Sequence, residues 1–306
     1  MSHHWGYVNA LIAAALFGVS ATLNKIVLKD MHPLVVAGLI YFSAGILFAL
    51  IRFLPIFKKI SKKFGINVEN KKLHKTDWFY LIAVALCGAI IAPFLFLYGL
   101  NISTAVNASL LLNTEILFTV LIAFLFLKER VSKKDYFAMS LLFLAAIIIT
   151  PNLNFTRLNL TGKIIGNLSI IGGTFFWALD NSLSKKLSIE NDTIKVASLK
   201  SLIGGATVLL VGMFLQIPFN ITLAQIPYLL FVGFFSIGLS LVLFLSSLRM
   251  IGSMKTVVIF STSSLFGLIS AFIILKEHIS IFQLFAGIIM IYAVYLMSKK
   301  SSSCNY

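Results

Sequence analysis

Ten apolar runs, each close to the length of a membrane crossing, constrain this chain more than any other feature. A helix rises about 1.5 Å per residue, so about 20 apolar residues span the hydrocarbon of a bilayer. The runs are 5–28, 33–54, 78–100, 105–127, 136–150, 163–184, 194–215, 226–248, 253–275 and 281–298. The fifth and the tenth are short. The largest connection, Pro55 to Asp77, is Lys-rich and too small to be a domain. Composition agrees. The chain is 59% hydrophobic and 11% charged, with a mean hydropathy of +0.99, against about 45–50% and about 25% for a soluble globular protein. That excludes a soluble enzyme, a disordered chain and a fibrous protein. The run from Trp5 is longer than a signal-peptide core and lacks a small-residue cleavage site, so it reads as an uncleaved first span. Cys87 and Cys304 make no metal or redox spacing.

The net charge of +15 would fit a nucleic-acid binder if the basic residues were gathered on one surface. They are sorted by loop instead. With the N-terminus inside, the inner loops carry Lys58, Lys59, Lys62, Lys63, Lys71, Lys72, Lys75, Lys128, Arg130, Lys133 and Lys134. They also carry Lys185, Lys186, Lys195, Arg249, Lys255, Lys299 and Lys300, which makes 18. The outer loops carry four: Lys29, Arg157, Lys163 and Lys276. This is the positive-inside bias of an even number of spans. It predicts a multi-pass protein of the plasma membrane with both termini cytoplasmic, and it accounts for the charge without nucleic acid. Lipid is the expected surroundings. The stretch 58–75 reads first as topogenic charge and second as a contact for anionic headgroups.

The chain also repeats itself. Leu127-Lys128-Glu129-Arg130-Val131-Ser132 recurs as Leu275-Lys276-Glu277-His278-Ile279-Ser280, 148 residues on. The same offset pairs Leu95-Phe96-Leu97 with Leu243-Phe244-Leu245, and Ala123-Phe124 with Ala271-Phe272. Before the Lys-rich loop the offset is 160, pairing Phe17 to Lys25 with Trp177 to Lys185. The expected fold is therefore all-α, with ten transmembrane helices as two inverted five-helix repeats, 1–150 and 151–306. Five is odd, so the copies enter the membrane from opposite sides, an arrangement that lets a central site open to each face in turn. Ser132 with Asp135 and Ser280 with Gln283 have capping-box spacing at the start of spans five and ten. Glu129 and Glu277, just before them, read as helix-terminating residues that pair locally with Lys128 or Lys276.

These motifs resemble the drug/metabolite transporter superfamily, EamA-like branch. The resemblance rests on the Leu-x-Glu-x-hydrophobic-Ser signature after spans four and nine and on Phe17-Gly18 through Lys25, where the branch has Trp-Gly…Lys. It covers the whole chain. It implies a cavity between the repeats with spans five and ten peripheral, and it implies transport of small metabolites, with export the expected direction. The chain departs from the branch where Pro often bends spans four and nine. Ile116 and Ser264 stand there, so straighter helices are expected.

Acids at membrane depth cost about 2.5–3.5 kcal/mol on insertion scales and so point to function. Glu115 lies in the middle of span four, with Thr104, Ala108, Leu111 and Thr119 on its face. Asp180 lies towards the inner end of span six, with Gly173, Trp177 and Ser184 on its face. Their repeat partners are neutral, Ser263 and Ser20, which favours solute or proton handling over a shared structural need. The alternatives are a protonated Glu115 bonded to a neighbouring helix and an Asp180 that reaches the inner interface beside Lys185. The substrate or coupling set is Glu115, Asp180, Trp177, Ser20, Asn24, Asn107, Thr119 and Tyr98. Asn side chains also join helices, and Tyr98 and Trp177 also fit interfacial anchors. Lys200 either snorkels or pairs with an acid.

The leading expectation is a secondary transporter of a small organic solute, amino acids or related neutral or zwitterionic compounds among them. It works by alternating access with protons as the coupling partner. No Walker-type loop is present and no cofactor or metal is expected. A sugar-phosphate or nucleotide-sugar carrier would want several intramembrane cations, and only Lys200 and Lys255 are near. An intramembrane enzyme would need paired acids, and Glu115 and Asp180 are expected at different depths. A sensor or scaffold would want a soluble output domain.

Overall fold

The structure, a computed structural model, describes residues 3–52, 73–127, 133–149 and 162–298. The Lys-rich loop and the first copy of the Leu-Lys-Glu motif from Lys128 to Ser132 lie outside them, as does the side chain of Asp135. Every element among the described residues is helical. In chain order they are α1 (His3–Gly18), α2 (Ser20–Val27), α3 (Pro33–Ile51), α4 (Lys75–Ala85), α5 (Ala92–Ile102), α6 (Ala105–Leu111), α7 (Thr114–Leu127) and α8 (Lys133–Ile149). The second half follows with α9 (Gly162–Glu190), α10 (Thr193–Phe214), α11 (Ile226–Phe231), α12 (Ser240–Ile251), α13 (Ser253–Phe260), α14 (Ser263–Ile274) and α15 (Ile281–Ser298). Segments of π-helix, Leu86–Ile91 and Val232–Leu239, join α4 to α5 and α11 to α12.

Among the described residues, five helices are long and apolar enough to cross a membrane: His4–Val27, Pro33–Ile51, Lys75–Ile102, Ile194–Phe214 and Ile226–Ile251. Tyr136–Ile148, Ser263–Ile274 and Ile281–Leu296 are shorter apolar helices. The expected run 105–127 is divided between α6 and α7, and the run 253–275 between α13 and α14. Large apolar side chains such as Phe79, Leu210, Phe214, Ile273 and Ile288 are exposed on the outer faces, as a lipid-facing protein requires.

The helix ends have local causes. His32 and Asp192, 160 residues apart, are both N-caps: each side chain accepts from the backbone N–H two residues on, Leu34 and Ile194. Pro33 then supplies the first turn of α3 with a φ that suits it. Gly252 ends α12 at φ +82°, a conformation that other residues rarely adopt.

The helices of spans four and nine are not straight, contrary to the expectation drawn from the missing prolines. α6 gives way to α7 at Leu112-Asn113, and α13 to α14 at Ser261-Thr262. Hydroxyls replace proline as the cause. Thr114 Oγ1 donates to Leu111 O at 2.7 Å, Thr262 Oγ1 to Ile259 O at 2.6 Å and Ser264 Oγ to Ser261 O at 2.9 Å. Such back-bonding competes with the α-helical ladder and bends it. The tighter i to i−3 backbone bonds Asn113 N→Leu110 O and Ser264 N→Ser261 O mark the same turns.

Packing recurs between the halves. α3 packs on α10 and α8 on α15. α1 packs on α12, and α9, its sequence equivalent, packs on α5, the equivalent of α12. Small residues allow the close crossings. Gly99 meets Gly166, and Gly18 lies against the backbone of Ser263, so a Cβ at either would collide.

Candidate functional site

A cavity of about 490 Å³ lies where the two halves meet. Its lining comes from both halves: Phe17, Tyr41, Gly88 and Glu115 from the first, Trp177, Asp180, Asn181, Lys200, Ser240, Phe244 and Phe260 from the second. The aromatic rings touch one another. Phe17 meets Trp177 edge-on with centroids 5.8 Å apart, and Phe260 lies 5.2 Å from Phe17 and 4.8 Å from Phe244. Trp177 Nε1 donates to Gly88 O at 3.2 Å, which fixes the indole.

The polar groups form two sets. Asp180 Oδ2 is ion-paired with Lys200 Nζ, both deeply buried, and Asp180 Oδ1 accepts from Ser184 Oγ at 2.9 Å. Glu115 Oε1 accepts from Asn181 Nδ2, so the residue beside Asp180 holds the other acid. The two carboxylates thus share one cavity, contrary to the expectation that they lie at different depths. The reason is that α9 runs on to Glu190, ten residues past Asp180, so Asp180 sits well inside the helix rather than near its end. Lys200 from α10 neutralises Asp180; the side chain of Lys185, its other expected neighbour, lies outside the described ones. Glycine at 88 is required here, because a Cβ would collide with the Asp180 carboxylate.

A second, much smaller recess adjoins the first. Phe17, Tyr41, Trp177 and Ile237 line both. Ser20, Asn24, Ile40, Pro93 and Phe96 complete its wall. Asn24 Oδ1 is buried and accepts no hydrogen bond among the described residues.

Of the eight residues singled out from the sequence, Glu115, Asp180 and Trp177 line the main cavity, while Ser20, Asn24 and Trp177 line the second. Three are placed elsewhere. Asn107 accepts from Gln283 Nε2 at 2.7 Å and joins two helices. Thr119 donates to its own helix at Glu115 O, 2.8 Å. Tyr98 is 41% exposed and lies beside Phe94 at the outer surface, with ring centroids 6.2 Å apart. Lys200 pairs with an acid rather than snorkelling, and Lys255 is exposed. Asn181, Tyr41, Phe244 and Phe260 went unnoticed in the sequence. Asn181 had one signal, its place beside Asp180, and Phe244 had its repeat partner Phe96.

The signature Glu277 does not pair locally with Lys276. Its carboxylate accepts from the N–H groups of Ala105 and Val106, at 3.0 and 2.9 Å, and so caps α6 of the other half. The Ser280–Gln283 box forms as expected, with Ser280 N→Gln283 Oε1 at 2.7 Å and Gln283 N→Ser280 Oγ at 3.2 Å.

A helical membrane protein whose two halves enclose a cavity of mixed polarity has the architecture of a solute carrier. The chain belongs to the EamA-like transporter family, whose model matches residues 4–150 and again 164–299. It is similar to a protein of Methanothermobacter thermautotrophicus (strain Delta H) described as an uncharacterized transporter. The two are 38% identical over 298 residues, which is 97% of this chain and 87% of the relative. The uncharacterized transporter YyaM of Bacillus subtilis (strain 168) is 22% identical over 233 residues, 74% of this chain and 75% of the relative. A solved crystal structure, 14% identical, superposes with a TM-score of 0.69 over 99% of this chain and 100% of that one, a likeness of fold. The protein is thus a multi-pass membrane transporter.

Proposed function

We propose that the chain is a secondary active transporter that exports a small zwitterionic solute, an amino acid or a related compound, in exchange for protons. In this reading ten spans form two inverted five-span units, 1–150 and 151–306, in the plasma membrane, with both termini cytoplasmic. The repeating helix breaks, caps and neighbour pairs support that arrangement.

The observation that carries the solute class is the pairing of one ammonium and one carboxylate in a single aromatic cavity. Lys200 has three N–H donors and gives one to Asp180. Glu115 gives one oxygen to Asn181. The remaining donors suit a solute carboxylate and the remaining oxygen suits a solute ammonium, while Trp177, Phe244 and Phe260 cover the apolar body. Since Lys200 balances Asp180, Glu115 is, among the described residues, the acid of the cavity without a fixed counter-charge. A proton or the solute ammonium satisfies it, not both. That competition couples outward movement of solute to inward movement of protons. Alternating access carries the site from one face to the other as the halves rock.

Counterflow in proteoliposomes tests the reading. Vesicles preloaded with a mixture of neutral amino acids should take up labelled amino acid, and an inward-directed block with hexose phosphate should do nothing. Exchange of hexose phosphate without exchange of amino acid overturns it in favour of a sugar-phosphate carrier.

A further inference from the structure

The packing of the spans does not follow the order of the chain. α1 packs on α12, α13 and α14, α2 on α11 and α14, and α3 on α11 and the π-segment Val232–Leu239, all from the second half. Reciprocally, α9 packs on α4, α5, α7 and the π-segment Leu86–Ile91, and α10 on α4 and the same π-segment, all from the first half. Glycines fit the exchanged spans closely. Gly6 lies against Ile251, Gly18 against Ser263, Gly166 against Gly99 and Gly173 against the Ala92 carbonyl. Polar side chains join them too. Asn9 Nδ2 donates to Ser246 Oγ at 3.2 Å, Ser240 Oγ to Ala13 O at 2.9 Å and Ser103 Oγ to Asn167 Oδ1. Each half has thus exchanged its first two spans with the other. One body holds α1, α2, α3 and α11 to α14, and the other holds α4 to α7, α9 and α10. The bodies meet chiefly where α3 crosses α10 and α5, and where α6 meets α14.

The exchange sorts the wall of the main cavity by polarity. Phe17, Tyr41, Ser240, Phe244 and Phe260 come from the first body, and all are uncharged. Glu115, Asp180, Asn181 and Lys200 come from the second. The bonds that hold the charges stay inside that body: Lys200 to Asp180, Ser184 to Asp180 and Asn181 to Glu115. The Thr114 and Thr174 hydroxyls, 2.7 Å apart, lie inside it as well. Were the halves to move as the chain runs, the Asn181–Glu115 and Thr114–Thr174 bonds would break within the membrane in every cycle, away from bulk water. With the first spans exchanged, those bonds persist. The contacts that break instead are Lys25 to the carbonyls of Leu100, Asn101 and Ser103, and Glu277 to the N–H groups of Ala105 and Val106. Those sit at helix ends, where water takes over their hydrogen bonds.

We propose that the halves rock with their first two spans exchanged, so that an uncharged aromatic body opens and shuts over a body that carries the charged groups of the cavity. The proposal rests on the alternating access proposed above and names the parts that move. The Asn113 Nδ2 to Ser264 Oγ bond, 3.0 Å, joins the bodies where spans four and nine break, and the turning point lies there. The charged ends of the solute keep the same partners from one face to the other, and the aromatic wall alone is exchanged for water.

Two disulfides separate this motion from one in which the halves move as the chain runs. Asn9→Cys with Ser246→Cys ties α1 to α12, and Ser103→Cys with Asn167→Cys ties the end of α5 to α9. Each joins one sequence half to the other inside a single body. Each pair is placed in full-length protein that lacks Cys87 and Cys304 and carries Ser240→Cys as a reporter in the cavity. The reactivity of the reporter with an impermeant maleimide is read from each face, in vesicles of both orientations, before and after oxidation closes the disulfide. The reporter should react from both faces, at rates that closure leaves unchanged. At least a tenfold loss from either face on closure overturns the exchange and leaves alternating access standing. A reporter that reacts from one face only, before closure, overturns both. The two pairs lie in different bodies, so either decides the matter should the other not fold.

Discussion

Lys25 and Glu277 grip one corner of the protein from its two sides. Lys25 Nζ donates to the carbonyls of Leu100, Asn101 and Ser103, which end α5, and Glu277 accepts from the N–H groups of Ala105 and Val106, which begin α6. Each charge meets the end of a helix whose partial charge it complements. The Glu277 contact crosses from one half to the other. Nearby, Thr22 and Ser270 hydroxyls bond across the same boundary at 2.7 Å. The corner therefore holds the halves together at one end of the molecule.

Removing that grip should free this end. Hydrogen bonds to a charged group are worth about 1.5–3 kcal/mol each. In Glu277→Ala, a cysteine placed at the buried position Thr22 should react with a water-soluble maleimide at least tenfold faster than in the parent. Unchanged labelling means the corner does not hold the halves closed.

The buried Lys200–Asp180 pair should behave as a unit. Losing one partner strands the other, at a cost of about 3–5 kcal/mol, whereas losing both leaves no unpaired charge. Lys200→Met and Asp180→Leu should each lower stability markedly in detergent unfolding, and the double variant should recover most of the loss. Additive losses would contradict the pairing. The double variant should still fail to bind solute, because the donor to the solute carboxylate is gone.

Gly88→Ala reports on the site without removing a polar group. Its Cβ pushes on Asp180, and overpacking of this kind costs about 1–3 kcal/mol. Thermal unfolding should show a modest loss of stability together with at least tenfold weaker solute binding. Normal affinity in a destabilised variant would place the solute away from Asp180.

Topology can be read by labelling on a background without Cys87 and Cys304. A cysteine at Leu223, which is 86% exposed, should react with an impermeant reagent from outside the cell. One at Ser61 in the Lys-rich loop should not. The reverse pattern inverts the assigned orientation.

Much of this was legible in the chain itself. Period and length marked the apolar helices, and the capping-box spacing marked Ser280 with Gln283. What was not legible depends on neighbours far apart in sequence. Helical periodicity shows which residues share a face, so it placed Trp177 and Ser184 beside Asp180. It cannot show that Lys200, on the next helix, reaches the same carboxylate. Nor can it show that Glu277 caps a helix 172 residues away. The breaks at Asn113 and Ser261 were missed because proline was taken as the only bending residue, where hydroxyl back-bonding does the same.

Glu115→Gln tests the central claim, that Glu115 couples protons to solute. The substitution keeps the size and an acceptor for Asn181 but removes the titration. The variant should fold and should exchange solute for solute in proteoliposomes, with affinity reduced because the solute ammonium now meets a neutral amide. Under an imposed pH gradient it should show no accumulation, while wild type accumulates solute against its gradient. Accumulation by the Gln variant at the wild-type level would contradict the account.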